Sequence, residues 1–304
     1  MTWFFIALGA PFLFALVNII DKYLVSKYST GEHTSGGLVI FSSLIGIFIA
    51  GVILLFNHNV LNISSLDKIL LSITGGLYIF WVILYLYALE LEDISTIVPW
   101  FSTVPIFGFI LSYFLLGETL VINQIIGSII ILFGIIIISI DFIGDRKKFK
   151  LKPVIYMICA SFIISLMGVI FKYVTVGGDF WVSSFWQYIS LGIFGILILA
   201  LVPKYRKEFI NMNKLGGIKI FSINVFSEII NVVGSLLTNF ALLLAPVAMV
   251  YLVGSFQPMI LFFMTIIGTK LFPKIINEDI SYKVLVPKSI AIGFIVLGSI
   301  LIFL

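Results

Sequence analysis

The sequence predicts an all-α polytopic membrane protein, with ten transmembrane helices arranged as two inverted five-helix repeats. Three observations carry that prediction. Of the 304 residues 61% are hydrophobic and only 11% charged, at a mean hydropathy of +1.24, a balance that excludes a water-soluble domain of this length. Apolar stretches of about 20 residues, the length that a hydrocarbon core of about 30 Å requires, recur along the whole chain between short polar breaks. Segments of the first half also reappear in the second.

The apolar spans fall at 2–21, 36–56, 69–89, 94–116, 122–141, 153–173, 181–202, 217–241, 246–269 and 287–304. They lack period-two alternation and are longer than a membrane strand, so a β-barrel is excluded. The opening MTWFFIALGAPF has neither the basic stretch nor the cleavage site of a secretory signal, and the first span is expected to stay in the protein. Cys159 is the lone cysteine, so no intrachain disulfide can form and a metal would find no thiolate pair.

Charge placement sets an orientation. All but two of the 18 Lys and Arg fall in the loops after spans 1, 5, 7 and 9: Lys22 and Lys27, then 146–152, 204–219 and 270–288. Only Lys68 and Lys172 lie on the other face. The positive-inside rule makes the basic loops cytoplasmic and leaves both termini outside a plasma (inner) membrane. Beside membrane spans, the run DRKKFKLK reads as topogenic, and no nucleic-acid partner is expected.

Two registers relate the halves. IIDKYLV matches VIFKYVT, pairing Lys22 with Lys172 and Tyr23 with Tyr173. YALELEDISTIVPWFSTVP matches FALLLAPVAMVYLVGSFQP, pairing Ala88 with Ala241 and Pro105 with Pro258. The chain therefore divides into a first repeat at 1–143, a basic linker at 144–152 and a second repeat at 153–304. Five helices per repeat is an odd number, which forces the second copy upside down relative to the first.

Span 8, around SINVFSEIINVVGSLLTNF, carries the chemistry. Asn224, Glu228, Asn231, Ser235 and Asn239 recur at spacings of three and four, along one face of a helix. A charge at mid-depth costs about 2.5–3.5 kcal/mol on insertion scales, so Glu228 is expected to border a wet cavity. There a carboxyl can exchange a proton or pair with a substrate cation. The competing reading is a protonated packing residue bonded to Asn224 or to a neighbouring helix. Across the cavity, span 3 presents Thr74, Tyr78, Trp81 and Tyr85 at helical spacing, an aromatic wall suited to amphipathic solutes.

Pro99, Pro105 and Pro258, with Pro246 at the entry of span 9, should kink spans 4 and 9 and free the carbonyls of Ser95, Phe101 and Gly254. Beside the kinks, Ser102, Ser255 and Gln257 are candidate donors to a substrate. Lys22 and Lys172 end spans 1 and 6 and read as cations at the two cavity mouths or as snorkelling anchors, with Asn18 one turn below Lys22. Gly117-Glu118-Thr119 reads as architecture: a glycine ends span 4, and Glu118 complements the dipole of span 5. Gly127 and Gly134 suggest close packing of span 5.

The stretch IVPWFSTVPIFGFILSYFLLGETLVINQIIGSIIILFGIIII resembles the EamA-type half-repeat of the drug/metabolite transporter superfamily: a proline-bearing helix, an LGE turn and a glycine-spaced helix. APVAMVYLVGSFQPMILFFM and IAIGFIVLGSILIFL continue the resemblance through the second half. It implies ten helices around a central cavity and secondary active transport, with export the expected direction, of small polar organic solutes such as amino acids or related metabolites. A lipid-linked sugar flippase, a multidrug exporter and a non-transporting membrane sensor remain as alternatives. The family usually keeps both termini in the cytoplasm, against the charge placement here.

An enzyme is not expected. No His, Asp or Glu cluster has metal-ligand spacing, His33 and His58 lie in loops, and neither a nucleophile elbow nor a phosphate-binding glycine loop occurs. No cofactor is implied, and any pumping draws on gradients. The expected partners are a small-molecule substrate, protons and the lipid bilayer, with the chain a monomer or a homodimer.

Overall fold

The computed structural model describes residues 2–28, 35–119, 121–138, 151–271 and 281–303. All its elements are helical. They are α1 (Thr2–Tyr28), α2 (Ser35–Phe56), α3 (Ser65–Leu91), α4 (Ile94–Ile97), α5 (Val104–Leu116), α6 (Ile122–Ile138), α7 (Leu151–Thr175), α8 (Phe180–Leu201), α9 (Pro203–Leu244), α10 (Val247–Gly254), α11 (Gln257–Leu271) and α12 (Tyr282–Phe303). Two 3-10 segments, His58–Leu61 and Val98–Thr103, complete them.

Among the described residues, eight helical stretches are long and apolar enough to cross a membrane, and Leu285–Leu301 of α12 is a shorter apolar one. Most of the linker expected at 144–152, and His33, lie outside the described residues. Leu151 and Lys152 belong to α7 rather than to a loop.

The ends of the helices follow from local chemistry. Ser64 caps α3 by accepting from Asp67 N–H, and the Asp179 carboxylate caps α8 by accepting from Trp181 N–H at 2.7 Å and Val182 N–H at 3.1 Å. At the end of α5 the chain turns through Gly117 at φ 69°, a left-handed conformation that glycine alone adopts without strain.

Prolines break the fourth span more thoroughly than a kink. Pro99 and Pro105 each stand in the first turn of a new segment, so α4, a 3-10 stretch and α5 follow one another. Side chains of α7 engage the carbonyls of Trp100 and Val104. Ser161 and Ser165, one turn apart on α7, donate to them at 3.2 Å and 2.6 Å. Pro258 likewise stands in the first turn of α11, after the chain turns at Ser255 and Phe256.

The loop expected before span 8 is instead helical. α9 runs for 42 residues, but Gly217 at φ 55°, ψ −155° divides a basic amphipathic segment from the membrane-length one. In the first segment Tyr205, Glu208, Phe209 and Met212 face inward at helical spacing, while Lys204, Arg206, Lys207 and Lys214 are exposed. The Tyr205 hydroxyl meets that of Tyr87 at 2.7 Å, and the Glu208 carboxylate accepts from Gly36 N–H at 3.0 Å, tying this segment to α3 and α2.

The helices pack in a reciprocal pattern. α1 lies against α9 and α3 against α7; α3 meets α8, and α2 meets α9; α2 packs on α8, and α6 on α12. Small residues make the last pairing close. A Cβ on Gly134 would strike the Ala291 carbonyl, and one on Gly298 the carbonyl of Gly127.

Two lysines finish the frame. Lys22 donates to the carbonyls of Leu89 (2.9 Å) and Glu92 (2.7 Å) at the end of α3. Lys172 donates to the carbonyl of Ala245 (2.7 Å) at the end of α9. A cation is favourable at these C-termini because the last carbonyls lack helical partners.

Candidate functional site: a polar cavity between helices α1, α3, α8 and α9

α1, α2, α3, α7, α8, α9 and the α10–α11 junction line a partly open cavity of about 200 Å³. α9 supplies Glu228, Asn231, Ser235, Thr238 and Asn239 to its wall, α1 supplies Asn18 and Asp21, and α3 supplies Tyr78, Trp81 and Tyr85. Ser42, Gln187, Tyr188, Tyr251 and Gln257 also line it.

Glu228 is 8% exposed and is held by neutral donors. Ser42 Oγ donates to Oε1, and Asn231 Nδ2 reaches Oε2 at 3.3 Å. The same amide donates to the Tyr78 hydroxyl oxygen at 2.6 Å, which ties α9 to α3 across the bundle. A carboxyl with no cation among its partners keeps its charge balance open to a proton or a ligand.

The aromatic wall is continuous. Trp81 packs edge-on against Tyr78 and Phe101, with ring centroids at 5.3 Å and 6.2 Å, and Tyr85 lies 5.6 Å from Phe101. Tyr85 donates to Asn18 Oδ1 at 3.1 Å. Further along, Asn239 Nδ2 donates to Gln187 Oε1 at 2.9 Å, joining α9 to α8.

The structure brings Glu228, Asn231, Tyr78, Trp81, Tyr85, Gln257 and Asn18 onto one cavity. Others stand apart from it. Asn224 is buried and donates to the Ile220 carbonyl one turn back, at 2.9 Å. Thr74 donates to the Leu71 carbonyl, and Ser255 and Ser102 are buried outside the wall. Lys22 and Lys172 do not line the cavity, because their ammonium groups are engaged at the ends of α3 and α9.

Glu118 also differs from its expected place. It precedes α6 rather than standing in its first turn. Its carboxylate accepts from Val247 N–H at 3.2 Å, at the start of α10, and pairs with Lys172 at 2.9 Å.

Sequence reasoning passed over Asp21, which lines the cavity from α1, beside the Tyr85 hydroxyl and within electrostatic reach of Glu228. Its signal was present: Pro11, Phe14, Asn18 and Asp21 recur at spacings of three and four, and all four line the cavity. Ser42 and Gln187 gave less warning, each being one uncharged polar residue in an apolar helix.

Together the apolar helices and the cavity that they line fit a polytopic membrane protein. Residues 1–140 match the model of the EamA-like transporter family, which is part of the drug/metabolite transporter superfamily. No curated protein matches the chain. A protein crystal structure is similar over 96% of this chain and 95% of its own, with a TM-score of 0.52 at 15% identity, which shows a shared fold.

Proposed function

We propose that the protein is a secondary active carrier of small polar organic solutes, such as amino acids or related metabolites. It works by alternating access around the Glu228 cavity. Ten spans form two five-helix halves of opposite orientation, and the charge placement supports both termini outside. The packing supports the halves: exchanging α1 with α7, α3 with α9 and α2 with α8 turns each principal contact into another or into itself. So do the lysines, since Lys22 holds the Glu92 carbonyl and Lys172 the Ala245 carbonyl, equivalent positions in the registers relating the halves.

The observation that carries the function is Glu228, deep in the bundle, facing a polar cavity with only a hydroxyl and an amide as partners. The size of the cavity favours a small solute over a lipid-linked sugar or a large drug. About 200 Å³ is below the roughly 300–1,000 Å³ usual for drug-sized ligands.

The test is uptake into proteoliposomes from a pooled set of labelled amino acids, amines and organic acids under an imposed pH gradient. The wild type is expected to accumulate at least one of them and Glu228→Gln to accumulate none. Equal uptake by both proteins contradicts the role of Glu228.

A further inference from the structure

We propose that the cavity is a binding site that favours small organic ammonium cations over zwitterions and neutral solutes, the charged head lying between the carboxylates of Asp21 and Glu228. This rests on the carrier reading and narrows its substrate class.

The first support is charge. Two carboxyl side chains line the cavity and no Lys, Arg or His does, among the described residues. The two lysines flanking the bundle are held at the ends of α3 and α9. Charge balance inside must therefore come from protons when the cavity is empty and from a bound cation when it is loaded. A substrate carboxylate would add a third negative group, with neutral amides and hydroxyls but no cation among the described lining residues to meet it.

The second support is an unpartnered atom. Asn18 is 6% exposed and lines the cavity, yet its Nδ2 has no hydrogen-bond partner while its Oδ1 accepts from Tyr85. Tyr85 carries one proton and faces two acceptors, Asn18 and Asp21. Once Asp21 is ionised it takes that proton in hydrogen bond, and the amide of Asn18 can turn so that Nδ2 donates to the Tyr85 oxygen. Oδ1 then faces the cavity as a third acceptor for an ammonium group.

The third support is the wall itself. Tyr78, Trp81, Tyr85 and Phe101 offer ring faces to a cation and apolar surface to its body.

Exchange follows from the same geometry: each carboxyl that receives the ammonium group releases its proton, so protons and amine compete. The groups facing Asp21 are Tyr85 on α3 and Glu228 on α9; those facing Glu228 are Tyr78 on α3, Tyr188 on α8 and Asp21 on α1. All the others are neutral phenols, so amine affinity is expected to fall as the pH drops and both carboxyls become protonated.

Isothermal titration of the purified full-length chain in detergent tests the assignment. The probes are ethylamine, butylamine, 2-phenylethylamine and tetraethylammonium, with 2-phenylethanol and phenylalanine as matched neutral and zwitterionic forms. At least one amine should bind 10-fold or more tightly than either control, with affinity weakening toward acid pH. Asp21→Asn should lose about 10-fold and Asp21→Glu should recover most of it.

Phenylalanine or the alcohol binding as tightly as every amine overturns the proposal. So does the failure of all four amines at millimolar concentration, or an Asp21→Asn variant that binds the favoured amine as the wild type does. If phenylalanine binds and is carried while amines are ignored, the cation site falls and the carrier stands. If no labelled solute is carried at all, the carrier reading falls with it.

Discussion

Glu118 and Glu228 are both glutamates in a chain with 14 acidic residues, and they solve the problem of charge near lipid in opposite ways. Glu118 is 21% exposed and fully answered: Lys172 stands 2.9 Å away and Val247 N–H donates from the first turn of α10. Glu228 is 8% exposed and answered only by Ser42 and Asn231. A carboxylate with its own cation is a fastener; one without is available to a proton or a ligand. The difference lies in the neighbours that the fold assembles rather than in the residue.

Breaking the comparison at Glu228 should have the largest effect. Glu228→Gln keeps shape and hydrogen bonding but removes the charge, and a hydrogen bond to a charged group contributes about 1.5–3 kcal/mol, or roughly 10–100-fold in affinity. Transport of any confirmed substrate should fall by at least that factor, while the thermal midpoint in detergent moves little.

The reciprocal change at the fastener should do the reverse. Lys172→Met leaves Glu118 half-buried and unpaired and strips the Ala245 carbonyl of its donor. It should cost about 1–3 kcal/mol of stability, less than a fully buried pair because both side chains retain some exposure. Adding Glu118→Gln should recover part of that loss, measured as the thermal midpoint of single and double variants.

Smaller effects sharpen the contrast. Ser42→Ala and Tyr78→Phe each remove one neutral partner from the Glu228 network, and about 1 kcal/mol apiece translates to roughly five-fold in apparent substrate affinity at unchanged stability. An equal loss from both would place the hydroxyls in the same network; no loss from either would leave Asn231 as the partner that matters.

The way each glutamate was visible in the sequence follows from range. Along one helix, periodicity is enough: Glu228, Asn231, Ser235 and Asn239 share a face of α9, and Tyr78, Trp81 and Tyr85 one of α3, so these groups could be expected to meet. Asn224 fits the same spacing but lies outside the cavity, because periodicity gives a face and not how far along it the cavity extends. Partners that come from distant helices leave no such trace. Nothing in LGET says that Glu118 will cap α10, nor that Lys22 and Lys172 will close the ends of α3 and α9.

Asp21 shows the converse failure. Its face was legible beside Asn18; successive helical positions point about 100° apart, so Asp21 and Lys22 serve different neighbours. The basic segment Pro203–Gly216 was hidden by its charge, which resembled a loop until its inward residues were seen at helical spacing.

Proton counterflow tests the central claim most directly. Proteoliposomes containing a pH-sensitive dye are given an outward gradient of 2-phenylethylamine, with wild type, Glu118→Gln and Glu228→Gln compared side by side. The account predicts acidification of the lumen, beyond that of protein-free vesicles, for wild type and Glu118→Gln and none for Glu228→Gln. An undiminished signal from Glu228→Gln would contradict it.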